Sequence, residues 1–413
     1  MTYIEFFSKT VAENLCAPLI DPPERVILIG DKRKELELHA ERYRRLFAAR
    51  GQTVCFETRS VNRNRLDSVM EALTDIVMTY GDCAFDLTGG DELYLVGLGI
   101  VCERFRDRHL QLHRFNIRTG SLLDCDRDGH TIGEDRRPTM TVEEYVLAGG
   151  GRIVYEDEKP MATIRWDMSY GFERDLKTLW EICRPNVRLY NTQISVLEAA
   201  ERCRTEGSDA LTTVARVEAL EEELAKREAH YLVDRDLLDR LRDAGLLTAY
   251  YVDGGVFRVS YKDEQVKRVL TKAGLVLELK LYLVARAMTD KDGTPFFSDV
   301  RHGVFLDWDG EESAYESENE VDLVLMRGVV PLFVSCKNGF LSSDECYKLS
   351  TVTEKFGGKY AKKMLAASAL HLETPFGRHI AQRCQDMGVW LLSDLPSMTD
   401  EEIAAAIRGF FSL

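Results

Sequence analysis

Residues 333 to 339, FVSCKNG, end an apolar run on a lysine. Phe333 to Cys336 read as a buried strand, and Asn338 and Gly339 close it. A lysine at that place is costly unless a negative charge meets it. The segments EVDLVLM and VPLFVSC form a hairpin across Arg327 and Gly328. Side chains alternate along a strand, so Glu320 and Asp322 share one face, and Ser335 and Lys337 share one face of the next strand. With the turn centred near Gly328 and Val329, Asp322 falls opposite Ser335 and Glu320 opposite Lys337. Glu278 can join them from the apolar helix GLVLELKLYLVARAM (274 to 288), where its helical neighbours are Leu275, Leu281, Tyr282 and Ala285. A carboxylate on that face wants a cation.

Acids that converge beside a lysine suit metal-assisted phosphodiester hydrolysis. Carboxylates hold a hard divalent ion such as magnesium or manganese, the ion polarises the phosphate and activates a water, and the lysine steadies that water or the developing charge. A buried salt-bridge network with no catalytic task is the alternative reading of the same residues. The Cys336 side chain points away from those of Ser335 and Lys337, into the core, and no histidine lies near it in sequence, which favours packing over an activated nucleophile. His302, before Gly303 in the preceding strand, reads as a packing or surface histidine, with an approach to substrate as the alternative. Asp307 and Asp309 read as turn residues around DWDG, or as support for the site.

The elements that must position these residues follow three patterns. From Arg25, β-branched runs alternate with amphipathic helical ones: RVILIG (25 to 30), KELELHAERYRRLFAAR (34 to 50), TVCFET (53 to 58), LDSVMEALTDIVMTY (66 to 80), CAFDLT (83 to 88) and DELYLVGLGIVCERF (91 to 105). That alternation predicts a parallel sheet covered on both faces, a Rossmann-like domain to about residue 150. Its strand ends carry Gly30, Asp31, Lys32 and Arg33, and Thr88, Gly89, Gly90 and Asp91. Ligands bind beyond such ends, where glycine permits close backbone approach and helix N-termini favour anions. Lys32 and Arg33 suit phosphate there, whereas Asp91 and Glu92 suit base or ribose contacts; a tight structural turn is the plain alternative.

Residues 169 to 250 are rich in long charged helical stretches such as VARVEALEEELAKREAHYLVDRDLLDRLRDAGLL. The helix DRLRDAGLL and the hairpin AYYVDGGVFRVSY, turning at Asp253, Gly254 and Gly255, suit a small winged-helix-like connector or a plain spacer. In the last 140 or so residues, SDVRHGVFLDWDG (298 to 310) alternates like a strand before the hairpin, and CYKLSTVTEKFGGKYAKKMLAASAL reads as later helices.

The 413 residues suit two or three domains. With 54 basic against 69 acidic residues the net charge is −15, so any polyanion must meet a local basic patch. Lys355, Lys359, Lys362 and Lys363 are the candidate patch, a solvated helix face being the alternative. The ten cysteines form no CxxC pair, which argues against a zinc site or a disulfide framework. No apolar run is long enough to span a bilayer, and the start MTYIEFFSKTVAENL lacks the pattern of a signal peptide. A cytoplasmic protein is expected.

ENEVDLVLMRGVVPLFVSCKNG, with the Glu278 helix and the downstream TEKFGGKYAKK, resembles the PD-(D/E)xK nuclease superfamily, and within it the CRISPR-associated ancillary nucleases of the Can/Card type. The superfamily's helical Glu, strand Asp and (D/E)xK lysine map onto Glu278, Asp322 and Lys337. Ser335 stands where the pattern has its second acid; Glu320 is the natural replacement, and the Cys336 carbonyl could add a metal contact. IEFFSKTVAENLCAPLIDPPERVILIGDKRKEL, with DLTGGDELYLVGLG, looks like the CRISPR-associated Rossmann-fold (CARF) domain of the same nucleases.

The resemblance implies a CARF-like ligand-sensing domain over 1–160, a helical connector with a winged-helix-like segment over 161–265, and a restriction-endonuclease-like α/β domain over 266–413. It implies a homodimer activated by a cyclic oligoadenylate, most often cyclic tetra-adenylate, bound across the two-fold axis at Gly30 to Arg33 and Thr88 to Asp91. It further implies a manganese- or magnesium-dependent endonuclease of type III CRISPR antiviral defence. That enzyme would cleave single-stranded DNA, RNA or both and could nick duplex DNA. Two rivals remain: a ligand-regulated, DNA-binding transcription factor with an inactive nuclease fold, and a repair or restriction endonuclease that ignores cyclic nucleotides.

Overall fold

A computed structural model describes residues 1–159, 162–205, 209–227, 229–307, 318–339, 341–342 and 344–412. The N-terminal third alternates strand and helix: β1 (Thr2–Phe6), α1 (Ala12–Ile20), β2 (Arg25–Gly30), α2 (Arg33–Ala49), β3 (Cys55–Ser60), α3 (Leu66–Tyr80), β4 (Cys83–Asp86), α4 (Glu92–Arg104) and β5 (Leu110–Asn116). β6 (Ser121–Asp126) and β7 (Thr131–Arg136) then turn back antiparallel. The sheet order is β3-β2-β1-β4-β5-β6-β7, with β1 to β5 parallel. Strand order reverses between β1 and β4, the place where doubly wound sheets open a ligand crevice. The alternation predicted from Arg25 onward is present, and a buried strand, TYIEF, precedes it at the centre of the sheet.

Helix α5 (Val142–Gly149), closed at its start by a Thr141–Glu144 capping box, leads to β8 (Arg152–Ile153). β8 pairs with the C-terminal sheet. The middle of the chain holds α6 (Tyr170–Cys183), α7 (Val187–Arg202), β9 (Thr212–Arg216), α8 (Val217–Ala225), α9 (Arg235–Asp243), β10 (Leu247–Asp253), β11 (Val256–Tyr261) and α10 (Glu264–Leu270). The stretch expected to be long helix is therefore broken: VAR ends a strand, and residues 229–234 separate α8 from α9. Strands β10-β11-β9 form a small antiparallel sheet whose turn uses Gly254 and Gly255 at positive φ. A helix, a strand, two helices and a hairpin in this sequence form a winged-helix arrangement.

The C-terminal region contains α11 (Leu275–Ala287), β12 (Asp299–Asp307), β13 (Glu318–Arg327), β14 (Val330–Lys337), α12 (Glu345–Phe356), β15 (Lys362–Ala367), α13 (Pro375–Asp386), β16 (Trp390–Leu392) and α14 (Asp400–Ser412). Its mixed sheet runs β16-β15-β14-β13-β12-β8. KKMLAA, read from sequence as part of a helix, is β15, paired in parallel with β14 on one side and β16 on the other. A strand buried on both faces has no polar alternation to announce it.

Two cores sandwich this sheet. Leu332, Val334 and Cys336 pack with α11 and α14, whereas Phe333 and Leu365 pack with α12 and α13 in a core that continues under α1 and α2 of the N-terminal sheet. The two ends of the chain are thus in direct contact. Tyr145 donates to the Gly357 carbonyl (2.6 Å), and Lys359 pairs with Glu13 (2.8 Å). Among the described residues no helix is long and apolar enough to cross a membrane.

Candidate active site

The hairpin register is the one the turn predicted. Leu323 faces Val334 and Arg327 faces Val330, so Asp322 comes opposite Ser335. Asp322 Oδ2 accepts from the Cys336 backbone N–H (2.5 Å) and from Ser335 Oγ (3.4 Å). Ser335 therefore holds the acid instead of duplicating it. Lys337 ends β14 and reaches Glu345, on the first turn of α12, at 3.0 Å. Asp322, Ser335, Lys337, Glu345, Lys348 and Thr351 line a cavity of about 440 Å³.

The faces depart from simple alternation. Val324 and Met326 pack toward α12, and Leu323 and Leu325 toward α11, as alternation requires; Val321 packs with the α12-side core as well, so the pattern breaks at Asp322. Across from it, between the pairs His302–Leu323 and Val304–Val321, stands Gly303 at φ +56°, with open space where a side chain would be. A left-handed residue in a strand is strained for anything but glycine, and here it re-aims both strands at the site.

Glu320 and Asp322, expected on one face, both line the cavity, although the strand's alternation is broken between them. Glu320 pairs with Lys272 (2.8 Å), toward the α11 side, and still lines the same cavity as Asp322 and Lys337. Glu278 lies on that side too. Its Oε2 accepts from His302 Nε2 (2.9 Å), and both side chains are almost fully buried. Asp322 sits at the seam, between Glu278, Glu320 and Lys272 on one side and Lys337 and Glu345 on the other.

The electrostatics follow from that position. Burial and the neighbouring Glu278 charge push the Asp322 carboxyl up to about 7, despite the Cys336 N–H and Lys337 pulling the other way. Burial works against the Lys337 ammonium, but Asp322 and Glu345 outweigh it and hold the group above its ordinary value. Burial likewise opposes Lys272, and Glu320, Glu278 and Asp322 together raise it. The Cys336 thiol, in the α11-side core, is driven well up by burial, which leaves its carbonyl as the donor it could offer.

Among the described residues no three His, Cys, Asp or Glu side chains form a ready-made metal cage. The donor set nevertheless suits a hard divalent cation. Asp322, raised by burial and the neighbouring Glu278 charge, gains from a positive charge beside it.

His302, expected as packing or surface, is a buried partner of Glu278. Asp307 is a buried strand residue paired with Arg152 (2.9 Å), not a turn residue, and Asp309 lies outside the described residues. Lys272, Glu345, His302 and Trp166, which donates from Nε1 to His302 Nδ1 (3.2 Å), are the site residues that sequence reasoning missed or underrated. The apolar context of HGVFL around His302 was the available signal.

The lysine patch does not form. Lys362 and Lys363 are neighbours on β15 and so point to opposite faces: Lys362 to the Phe410 carbonyl, Lys363 to the Met387 carbonyl. Lys359 is committed to Glu13.

At the other end of the molecule, the loops after β2 and β4 flank the exit of β1. Gly89 and Gly90 lie so close to Phe6 that a Cβ on either would come within 2.6 Å of it. Asp86 Oδ1 accepts from Thr88 N (2.6 Å), and Thr88 Oγ1 accepts from Phe115 N (2.8 Å), so this loop is rigidly held. Asp31, Lys32 and Arg33 stand at the end of β2, with Lys32 near Glu35 (3.8 Å) and Arg33 on Glu37 (2.7 Å). These exposed pairs contribute little energy and release their cations readily. The winged-helix segment differs. On α9, Arg235 donates to the Val252 carbonyl, Arg240 to the Ile182 carbonyl, and Arg242 pairs with Asp239 and Asp243.

No family model matches the sequence, and no curated protein matches it. Solved structures do match along the whole length. Protein VC1899 from Vibrio cholerae superposes with a TM-score of 0.71 at 18% identity, covering 99% of this chain and 97% of that one. Can2 from Sulfobacillus thermosulfidooxidans, solved in complex with cyclic tetra-adenylate, superposes with a TM-score of 0.66 at 16% identity, covering 100% and 99%. The chain shares the fold of Can2. The likeness extends from the Rossmann-like sheet through the connector to the C-terminal sheet, and at this identity it is a likeness of fold.

Proposed function

We propose that the chain is a cyclic-oligoadenylate-activated, metal-dependent endonuclease of type III CRISPR antiviral defence, acting as a homodimer on single-stranded DNA, RNA or both. The observation that carries this reading is Asp322: a half-buried acid, raised by desolvation and by Glu278, opening on a cavity that also holds Lys337, in a chain built throughout like a protein solved with cyclic tetra-adenylate. The PD-(D/E)xK pattern of Glu278, Asp322 and Lys337 supports it.

Glu278 and Asp322 would hold manganese or magnesium, with the Cys336 carbonyl and a released Glu320 as further donors. The bound ion would polarise the scissile phosphate and lower the pKa of a water. Lys337 keeps its proton at neutral pH and offers it to the phosphate oxygen or to the attacking water. Glu345 restrains that ammonium from the cavity wall. Lys272 occupies Glu320, so the acid becomes available when this contact opens.

The N-terminal sheet would be the sensor, over about 1–160, with a connector to about 265. Gly30, Asp31, Lys32, Arg33, Thr88, Gly89, Gly90 and Asp91 surround the β1–β4 switch point and would contact the ring. The exposed apolar residues Leu95, Val96 and Ile100 on α4 support a two-fold interface beside it. Two copies of one strand-end crevice suit a symmetric ring.

The winged-helix order of the connector favours the transcription-factor rival, but the arginines of α9 are bonded within the chain, alongside an equal number of aspartates. The test uses purified protein with manganese or magnesium and labelled single-stranded DNA and RNA, with and without cyclic tetra-adenylate. Ring-dependent cleavage is expected. No cleavage under any condition would overturn the reading, and equal cleavage without the ring would favour a housekeeping endonuclease.

A further inference from the structure

Between the sensor and the connector, residues 164–169 run without secondary structure past the C-terminal sheet. The segment is pinned at both ends. Thr163 Oγ1 accepts from Phe305 N on β12 (2.9 Å), and Asp167 exchanges two hydrogen bonds with Gln265 of α10 (2.7 and 3.1 Å). Between the pins stands Trp166, stacked on Phe172 of α6 with ring centroids 5.5 Å apart.

The Trp166 indole N–H meets His302 Nδ1 at 3.2 Å, and His302 Nε2 meets Glu278 Oε2 at 2.9 Å. An indole nitrogen can only donate. His302 Nδ1 is therefore the acceptor, Nε2 carries the ring hydrogen, and the imidazole is a neutral donor to Glu278. Tyr282, one turn along α11 from Glu278, closes the other side of the imidazole edge-on at 6.3 Å. The ring can neither flip nor turn without breaking a buried hydrogen bond.

The effect on Glu278 is specific. Oε2 is taken, while Oε1 lies toward Gly274, 3.6 Å from where a Cβ there would stand, on the turn that also carries Lys272. A donor on one oxygen fixes the carboxylate's rotation and leaves the other oxygen on the side of the other acids. A packing histidine would need no such partner on each nitrogen.

The geometry points to His302 and Trp166 as positioning residues for Glu278, through which the segment leaving the sensor domain sets the metal-binding acid. This rests on the nuclease reading for its consequence, but its test does not need cleavage. Manganese binding is measured by calorimetry on the full chain without nucleic acid, for wild type, His302→Leu, His302→Gln and Trp166→Phe, with thermal unfolding of each as a check on folding.

His302→Leu is expected to weaken manganese binding about 10–100-fold, as loss of a partner behind a ligand does. His302→Gln, whose amide can accept from Trp166 and donate to Glu278, is expected to restore most of it. Trp166→Phe keeps the stack on Phe172 and should fall between the two. In cleavage assays the loss should appear in the metal requirement and kcat, with the KM for nucleic acid unchanged. Wild-type manganese affinity in His302→Leu overturns the inference, and so does a loss that His302→Gln fails to recover. A wild type that binds manganese but cleaves nothing would instead refute the nuclease reading and leave the positioning chain standing.

Discussion

In the N-terminal sheet Glu5, Asp86, His113 and Asp124 stand side by side on β1, β4, β5 and β6, all buried on the face that α1 and α2 cover. In the C-terminal sheet Glu278 is a buried acid on the helix above the strands, and Asp322 a half-buried one on β13. The two groups share a physics. Burial and the neighbouring Asp86 raise Glu5 well above its ordinary range, and burial carries Asp86 to about 6, as burial and Glu278 carry Asp322 to about 7. They differ in access and in counter-charge. Among the described residues neither Glu5 oxygen has a hydrogen-bond partner, and both are shut off from solvent, whereas Asp322 faces a cavity with Lys337 on its wall and Lys272 nearby. A perturbed acid is a functional candidate only where substrate and cation can reach it. The Glu5–Asp86 pair is better read as structural, with Asp86 shaping the Thr88 loop.

That contrast can be broken by substitution. Asp322→Ala and Lys337→Ala should each lower ring-stimulated cleavage by at least about 10²-fold, the scale for removing a group aimed at developing charge. Folding should be little changed, because Asp322 is an acid whose burial is unfavourable in the absence of metal. Comparable loss in Glu5→Gln would erase the distinction drawn between the two sheets.

Glu5→Gln tests the other half. Glu5 and Asp86 bind protons more readily in the folded chain than in the unfolded one. Stability contributed by these groups is therefore present at low pH and lost as pH rises, from about 4 through about 6 for Asp86, with the raised Glu5 adding in the same direction. Thermal unfolding should show a falling midpoint over that range. Glu5→Gln should flatten the slope and raise the midpoint at pH 8, with cleavage retained.

The smallest effect is expected at the Lys272–Glu320 pair. An exposed contact of this kind is worth about 0–1 kcal/mol. Lys272→Ala should raise ring-independent cleavage by no more than about fivefold, the same energy expressed as a rate. A fall in stimulated cleavage would instead give Lys272 a direct part in holding phosphate.

Much of this site is legible in the amino-acid sequence. The glycine at Gly328 sets the hairpin register, which places Asp322 beside Ser335 and Cys336, and the lone lysine after an apolar run singles out Lys337. Strand and helix periodicity locates the Rossmann-like sheet from Arg25 onward. What escapes is non-local or breaks the period. The face reversal depends on one positive φ at Gly303, which no alternation rule anticipates. Trp166 and His302 are 136 residues apart, and no local pattern joins them. Glu345 opens a helix eight residues after Lys337, and only the fold turns it back onto that ammonium. The four lysines fail as a patch because helix periodicity does not apply to a segment that contains a parallel strand.

The division of labour between the two sheets is tested most directly by measuring ring binding and cleavage together on one variant. Asp322→Ala is titrated with cyclic tetra-adenylate by calorimetry and assayed on labelled single-stranded DNA and RNA with manganese. Ring affinity equal to wild type with no detectable cleavage is the predicted result. Ring-stimulated cleavage by Asp322→Ala at the wild-type rate would contradict the assignment of the C-terminal acids as the catalytic centre.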